Sequence, residues 1–358
     1  MKIKLAILDS DRNYLEKMHA AFIRRYSDKL EIYLFTSAFS ALESLAASKI
    51  DVFLINKAVD LPAERIPSDC MYAYLSDVPG IERYNDKPVI CKFQRMDMIF
   101  KQILDVYAMN RNVVLGSDYS DVKGKVILFF GAGGGMGTSS VAAGCAVRFA
   151  GKQKKVLYLN LQKLSGADMY FTGEGQRGMT DLILALQDSD ASLRLQLQSW
   201  VREDTTGVCF FAQAKTALDM MELDAECTLR LLSELKKHSD YDYVILDADL
   251  TLDPESLEVY KAADEIVMVS DHSKEAAVKA QRALAAMAVM EGETENPIAQ
   301  RISVIYNKAV NENEVDITEP KLKSLGGVGV FKSEKSRKVP DNRKVVELLA
   351  GQEFFDKL

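Results

Sequence analysis

Residues that commonly build metal centres and nucleophilic triads are scarce in this chain. Its 358 residues include five cysteines and three histidines, and these are scattered along the sequence without CxxC spacing. We therefore expect neither a zinc site nor a histidine-based triad. Cysteines in this pattern indicate small buried side chains in a reducing compartment.

Long apolar runs and an excess of positive charge are also missing. No stretch reaches the roughly 20 apolar residues of a membrane-spanning helix, and the N-terminus lacks the apolar region of a signal peptide. The net charge of −7 argues against general nucleic-acid binding. The sequence therefore predicts a cytoplasmic protein without an integral membrane segment. Its length and its 48% hydrophobic content predict two domains.

A glycine-rich loop at residues 131–140 organises the rest of the chain. It follows a short apolar run at residues 126–130 and precedes a run of good helix formers. A strand, a glycine loop and a helix together bind phosphate, because the backbone can approach the anion and the first helical N–H groups point at it. The dinucleotide pattern GxGxxG fails at Met136, whereas the P-loop pattern GxxxxGK[ST] fits in part, at Gly137 and Ser139. An ordinary turn between a strand and a helix is the alternative.

The partial fit resembles the deviant Walker A motif KGGxGK[ST] of the MinD/ParA ATPases. Both lysines of that motif are absent, since Gly133 and Thr138 stand in their places. The positions that match are Gly134, Gly135, Gly137 and Ser139. On this resemblance, the residues expected to bind nucleotide are Gly133, Gly134, Gly135, Met136, Gly137, Thr138, Ser139 and Ser140.

Three later strands end in residues that resemble other parts of the MinD/ParA site. The family carries D-x-D at the end of the strand that follows the loop helix. At this place the chain has the amides Asn160 and Gln162. A later strand ends in Asp247, which is a Walker B pattern. The resemblance implies that Asp247 and Ser139 hold Mg²⁺. Asn307 ends a later strand at the adenine-contacting position of the family. A turn-forming asparagine is the alternative for Asn307.

The first 110 residues alternate strand and helix patterns, which predicts a parallel sheet with helices on both faces. The order resembles a response-regulator receiver domain, with an unrelated flavodoxin-like domain as the alternative. Asn56 occupies the phosphoacceptor position, and because an amide cannot replace the carboxylate nucleophile, we expect no phosphorylation. Short connections with prolines at residues 57–70 and 77–87 predict that at least one helix is shortened or lost. The degenerate receiver site consists of Asp9, Ser10, Asp11, Asn56, Ser76 and Lys92.

The predicted fold class is α/β, with two domains. A flavodoxin-like receiver domain occupies residues 1–110, a polar linker residues 111–124, and a MinD/ParA-like P-loop NTPase domain residues 125–358. The second domain should have a mostly parallel central sheet flanked by helices. This order resembles the TadZ/CpaE proteins, which act in the assembly and polar placement of Tad (Flp) pili. The resemblance implies a homodimer that binds ATP and Mg²⁺ and works with pilus assembly proteins, at the cell pole or the inner face of the membrane.

The missing charges predict that hydrolysis is very slow or absent. Loss of one charged donor in such a site costs roughly 3 kcal/mol, or about a hundredfold in rate. The first hypothesis is thus an ATP-binding scaffold. The alternative is an active ParA-like switch whose cation comes from Arg177, Arg301 or a basic cluster. That cluster consists of Lys332, Lys335, Arg337 and Lys338.

Two further roles are weaker hypotheses. The basic cluster could bind DNA, as ParA partition proteins do, but the acidic total favours a solvated loop. Residues 351–358 could attach the chain peripherally to a membrane, but this segment is short and acidic for that purpose.

Overall fold

The computed structural model describes two compact units. The described residues are 2–109, 124–164, 166–188, 193–238, 241–292, 297–309, 317, 321–331 and 341–358. The first unit comprises Met1–Asp118 and Asp190–Trp200, and the second comprises Tyr119–Ser189 and Val201–Leu358. The predicted linker at 111–124 lies almost wholly outside the described residues, and the domain limits inferred from the sequence stay a prediction.

The first unit is an α/β sandwich around one sheet. Its strands are β1 Ile3–Leu8, β2 Leu30–Phe35, β3 Val52–Asn56, β4 Met71–Ser76, β5 Arg83–Tyr84 and β6 Lys87–Cys91. Its first three helices are α1 Arg12–Tyr26, α2 Ala38–Ala47 and α3 Met96–Ala108. In the described residues the strand order is β2-β1-β3-β4-β6-β5, and β5 alone runs antiparallel, against β6. This order confirms the predicted flavodoxin-like fold.

Two connections of the first unit are shorter than in a regular alternation of strands and helices. Between β3 and β4 the chain forms a single 3-10 turn, Ala63–Arg65, and between β4 and β6 it forms the short strand β5. Prolines at 62 and 67 flank the turn and remove N–H donors that a longer helix would need. The predicted loss of at least one helix is confirmed.

The second unit is built on a larger sheet. Its strands are β7 Lys125–Gly131, β8 Val156–Asn160, β9 Arg202–Glu203, β10 Val208–Phe210, β11 Tyr243–Asp247, β12 Glu265–Ser270, β13 Ile302–Ala309 and β14 Lys323–Gly329. The remaining α-helices in the described residues are α4 Thr138–Gly151, α5 Met179–Gln187, α6 Leu193–Trp200, α7 Ala217–Met221, α8 Ala225–His238, α9 Pro254–Ala262, α10 Lys274–Glu291, α11 Ile298–Arg301 and α12 Asn342–Ala350.

Within the described residues, the strand order of this sheet is β14-β13-β12-β7-β11-β8-β10-β9. All neighbouring strands are parallel except β9, which pairs antiparallel with β10. The mostly parallel sheet of the prediction is therefore confirmed. Because the parallel strands share one direction, β7, β8, β11 and β13 bring their carboxyl ends to the same edge, where ligands bind in open α/β sheets.

Helix α6 belongs to the first unit although it follows α5 in the sequence. Leu195 joins the apolar core that also contains Ile103 of α3. The indole Nε1 of Trp200 donates a hydrogen bond of 2.7 Å to Oδ1 of Asp105, also on α3. Helix α6, from the second half of the chain, thus contributes to the apolar core of the first unit.

The C-terminal segment packs into the second unit. An added Cβ at Gly144 of α4 would lie 2.6 Å from the Cβ of Leu349, so α12 approaches α4 closely. Phe354 and Phe355 are buried, and Asp356 forms ion pairs with Arg148 and Lys152. Membrane attachment through this segment would require these aromatic rings to leave the core. Among the described residues, no helix has the length and apolar character needed to cross a membrane.

Candidate functional site

The glycine loop connects the end of β7 to the start of α4. Gly137 precedes α4 with a left-handed backbone (φ +79°) and no side chain caps the helix. An added Cβ at Gly137 would lie 2.3 Å from Nδ2 of Asn307, so both conformation and space require glycine here. The first N–H groups of α4 therefore remain available to an anion.

The loop forms one wall of an open cleft with a volume of about 440 Å³. The predicted nucleotide-binding residues 133–139 all line it, and Ser140 lies half-buried in the first turn of α4. Sequence reasoning did not single out Tyr170 or the segment 248–250, which complete the wall. The lining residues are Gly131, Ala132, Gly133, Gly134, Gly135, Met136, Gly137, Thr138, Ser139, Gln162, Tyr170, Ala248, Asp249 and Leu250.

Asp247 is fully buried at the carboxyl end of β11. Its Oδ2 accepts hydrogen bonds from the hydroxyl of Tyr158 at 2.7 Å and from Nδ2 of Asn160 at 2.8 Å. Its Oδ1 is buried and has no hydrogen-bond partner in the described residues. Burial raises the pKa of Asp247 to about 7, although the hydrogen bond from Tyr158 and the hydroxyl of Ser139 lower it.

The two amides that replace the D-x-D carboxylates hold the surrounding polar groups. Asn160 donates to Asp247, as described above, and its Oδ1 accepts from the backbone N–H of Gln162 at 3.2 Å. The hydroxyl of Ser139 donates to Oε1 of Gln162 at 3.0 Å. Asn160, Gln162, Ser139 and Asp247 thus form one hydrogen-bonded group beneath the loop.

Ser139 lines the cleft and the buried Asp247 lies behind it, and both carry oxygens of the kind that bind magnesium together with phosphate. Mg²⁺ takes oxygen ligands and usually binds through one or two protein groups together with phosphates and water. Ser139 Oγ and the unpartnered Oδ1 of Asp247 are oxygens of this kind. The described residues contain no group of three or more His, Cys, Asp or Glu that could hold a metal alone. The ion would therefore need phosphate and water to complete its coordination.

Asn307 lies behind the glycine loop. Its Nδ2 donates a hydrogen bond of 2.8 Å to the backbone carbonyl of Met136, and the side chain is buried at the end of β13. This contact joins β13 to the loop across 171 residues of sequence. The predicted contact between Asn307 and adenine stays a prediction.

The arginines considered as replacement cations have other partners. Arg177 forms an ion pair of 2.6 Å with Asp181. Arg301 donates to the backbone carbonyls of Lys261 and Ala263, at the opposite end of β13 from the loop. The basic cluster Lys332, Lys335, Arg337 and Lys338 lies outside the described residues.

Two lysines that sequence reasoning missed lie against the loop instead. Lys308 directly follows Asn307, so the strand end already carried a signal for it. Lys279 lies in α10, whose Ala277, Ala280 and Leu284 are buried. No sequence pattern marks Lys279, because its position depends on how α10 packs beside the loop.

The first unit has a polar site of its own at the carboxyl edge of its sheet. Lys92 Nζ forms ion pairs with Asp9 Oδ2 at 2.6 Å and with Asp77 Oδ1 at 3.0 Å. Burial lowers the pKa of Lys92, but the hydrogen bonds to Asp9 and Asp77 outweigh burial and leave the pKa raised. Asp9 and Lys92 are buried, whereas Ser10 and Asp11 are exposed. The single acid buried here is thus already paired with a cation.

The predicted phosphoacceptor position makes a local structural contact. Oδ1 of Asn56 accepts the N–H of Ala58 at 2.9 Å. Oγ of Ser76 accepts the N–H of Val78 at 3.1 Å. Asn56 ends β3 and Ser76 ends the parallel strand β4, so both lie at the same edge as the Asp9–Lys92 pair. The absence of phosphorylation stays a prediction.

Comparison with known proteins assigns each unit separately. Residues 1–108 match the family described as TadZ-like, receiver domain. The chain is similar to a ParA family ATPase from Chlorobium tepidum TLS, with 23% identity, a TM-score of 0.51, and coverage of 66% of this chain and 96% of that chain. It is also similar to the cell division ATPase MinD of Pyrococcus furiosus, with 16% identity, a TM-score of 0.43, and coverage of 65% and 99%. The search of curated proteins found no match.

At these identities, the likeness to the Chlorobium protein shows the fold of the second unit and not its activity. The family match identifies the first unit. The chain thus carries a domain of the TadZ-like receiver family, followed by a domain with the fold of the ParA ATPases.

Proposed function

We propose that the second domain binds ATP together with Mg²⁺ and hydrolyses it very slowly or not at all. The observation that carries this proposal is Asp247, a fully buried carboxylate whose Oδ1 has no partner in the described residues. A buried polar atom without a partner is costly. A ligand bound beside Ser139 under the glycine loop would supply the missing partner.

The residues of the site divide the work of binding. The N–H groups of the loop and of the first turn of α4 would hold the phosphates. Ser139 and Asp247 would hold Mg²⁺, which supplies positive charge to the phosphate oxygens. Tyr158 and Asn160 fix the Asp247 carboxylate by donating to its other oxygen, so that Oδ1 keeps its direction.

The same residues explain why hydrolysis should be slow. Hydrolysis by phosphoryl transfer requires an oriented water and positively charged groups in contact with the oxygens of the transferred phosphoryl group. Gln162 and Asn160 are amides, which take no proton from water, and both are engaged in hydrogen bonds. The loop itself contains no lysine. We therefore propose that the bound nucleotide sets a conformation and is not consumed in a cycle.

The TadZ-like receiver domain in the same chain supports the cellular role. We propose a nucleotide-dependent scaffold that localises or assembles the Tad (Flp) pilus machinery. It would act as a homodimer in contact with pilus assembly proteins, in the cytoplasm at the cell pole or at the inner face of the membrane, without nucleic acid.

The test is isothermal titration of the purified protein with ATP in the presence and absence of Mg²⁺, together with a steady-state ATPase assay. The wild type should bind ATP more tightly with Mg²⁺ and show almost no turnover. Gly137→Ala should abolish binding, because the loop cannot keep its conformation. The matched control is Gly80→Ala in the first unit, where the backbone is also left-handed (φ +81°) but the space is open. A wild type that binds no ATP would contradict the proposal.

An active ParA-like switch is the second candidate function. The observation that favours it is the presence of Lys279 and Lys308 beside the loop, since they could supply charge that the loop lacks. The ATPase assay separates the two candidates. Turnover at the rate of ordinary ParA ATPases would favour the switch over the scaffold.

A further inference from the structure

The phosphate loop contains no cation, yet two ammonium groups from other elements reach it. Lys308 at the end of β13 donates from Nζ to the backbone carbonyl of Gly135 at 2.5 Å. Lys279 of α10 approaches Gly133, where an added Cβ would lie 3.4 Å from the lysine Cδ and 3.4 Å from its Nζ. Both lysines are exposed to solvent.

Their places correspond to those of the two lysines that the loop has lost. Gly133 occupies the first lysine position of the deviant Walker A motif, and Lys279 lies directly beside it. Thr138 occupies the second position, and the preceding Gly137 has Cε of Lys308 at 3.8 Å from its Cβ position. Each lost lysine thus has a cation next to its former place.

The fold holds both lysines there. Lys308 has a left-handed backbone (φ +58°), which is uncommon for a residue other than glycine, asparagine or aspartate. Its neighbour Asn307 is anchored to the loop through the carbonyl of Met136. α10 follows β12, and β12 pairs in parallel with β7, from which the loop begins. The first turns of α10 therefore lie beside the loop.

We propose that Lys279 and Lys308 are the cations that neutralise the phosphates of a bound nucleoside triphosphate, in place of the two lysines of the loop. The inference rests on the proposed nucleotide binding and adds which residues supply the charge. Without phosphate, Lys308 is held by the carbonyl of Gly135; with phosphate, it would exchange this neutral acceptor for an anionic one, which gives a stronger contact. Burial raises the pKa of Asp271, but hydrogen bonds from Ser273 and the nearby charge of Lys308 outweigh burial and leave this pKa lowered.

The test is isothermal titration with MgATP and, separately, with AMP. Lys279→Met and Lys308→Met should each weaken MgATP binding about tenfold, and the double variant about a hundredfold. AMP binding should change less than about threefold, because AMP lacks the β and γ phosphates. Lys279→Arg and Lys308→Arg should keep most of the affinity, since the charge remains. The control Lys154→Met removes the same charge from the turn before β8, at the opposite edge of the sheet, and should have no effect.

The outcomes separate this inference from the proposed function. If the folded wild type binds no MgATP, the proposed function fails and the lysine inference fails with it. If the wild type binds MgATP and the double variant binds it equally well, nucleotide binding stands and the role of the lysines is refuted. Equal losses for MgATP and AMP would also refute it, because they would indicate structural damage instead of lost phosphate contacts.

Discussion

The two polar sites of this protein lie at equivalent edges of two parallel sheets, but their charges are balanced in opposite ways. In the first unit, the buried acid Asp9 is paired with Lys92 at 2.6 Å. In the second, the buried acid Asp247 has neutral neighbours, Tyr158 and Asn160, and one oxygen without a partner in the described residues. The buried acid of the first site thus has a cationic partner, whereas no ion pair with a cation is found for the buried acid of the second site in the described residues.

This difference teaches how to interpret the loss of family residues. In both sites an amide, Asn56 or Asn160, stands where the families that the sequence resembles carry a carboxylate. At Asn56 the amide makes a local turn contact with Ala58, and the acid at that site is paired with Lys92. At Asn160 the amide orients an acid that still lacks a partner. A degenerate motif is therefore best interpreted together with the partners of the charged residues that remain.

The largest expected effect comes from breaking the ion pair of the first unit. Lys92→Met should lower the free energy of unfolding of that unit by about 3–5 kcal/mol, because Asp9 would be left as a buried, unpaired charge. Trp200, the single tryptophan of the chain, packs on α3 of the same unit, so urea unfolding followed by its fluorescence measures this loss.

The double variant Asp9→Asn with Lys92→Met is the control for the first prediction. It removes both charges and should recover much of the lost stability. Binding of MgATP should be the same in the wild type and both variants. A Lys92→Met variant as stable as the wild type would show that the pair does not balance the site.

Breaking the second site should affect binding instead of folding. Asp247→Asn should weaken Mg²⁺-dependent ATP binding by about 1.5–3 kcal/mol, roughly ten- to a hundredfold, since the oxygen that faces the ion loses its charge. The unfolding transition without nucleotide should not move to lower urea. Titration calorimetry and urea unfolding of the same preparation measure the two effects. A variant that loses stability but keeps its affinity would contradict the comparison of the two sites.

The pH dependence of stability sharpens the same contrast. The pKa of Asp247 is about 7 in the folded state and 3.8 ordinarily. Between these two pH values, the folded state therefore holds a proton that the unfolded state has released. The contribution of this proton to the free energy of unfolding is therefore complete below pH 3.8 and is lost as the pH rises through 7. Without nucleotide, the wild type should lose about 1 kcal/mol of stability between pH 6 and pH 7, relative to Asp247→Asn. Urea unfolding followed by circular dichroism at both pH values measures this difference, and equal profiles would refute it.

The smallest expected effect comes from returning a lysine to the loop. Thr138→Lys should raise MgATP affinity by about 1 kcal/mol, roughly fivefold, through a charge-assisted contact that adds to those of the proposed cations. Gly133→Lys should give no gain, because its side chain would start 3.4 Å from Nζ of Lys279 and two ammonium groups would repel each other. Calorimetric titration distinguishes the two variants. A gain from Gly133→Lys would show that its place is not already served by Lys279.

Much of the fold was predictable because its signals are local. Both the apolar run before the glycine loop and the aspartate that ends β11 depend on neighbours in the sequence. The family order of strands then placed Ser139 and Asp247 in one site. Short elements such as β5, β9 and α9 were not predicted, because they carry few residues of a clear period.

The sequence by itself determined the two-domain α/β organisation and the positions where charged family residues have been lost. Only the tertiary structure decided which distant groups become the partners of the residues that remain. The contacts between Asp9 and Lys92, between Asn307 and Met136, and between α3 and α6 join residues far apart in the chain. No local pattern encodes such contacts, because they arise from the packing of whole strands and helices against one another.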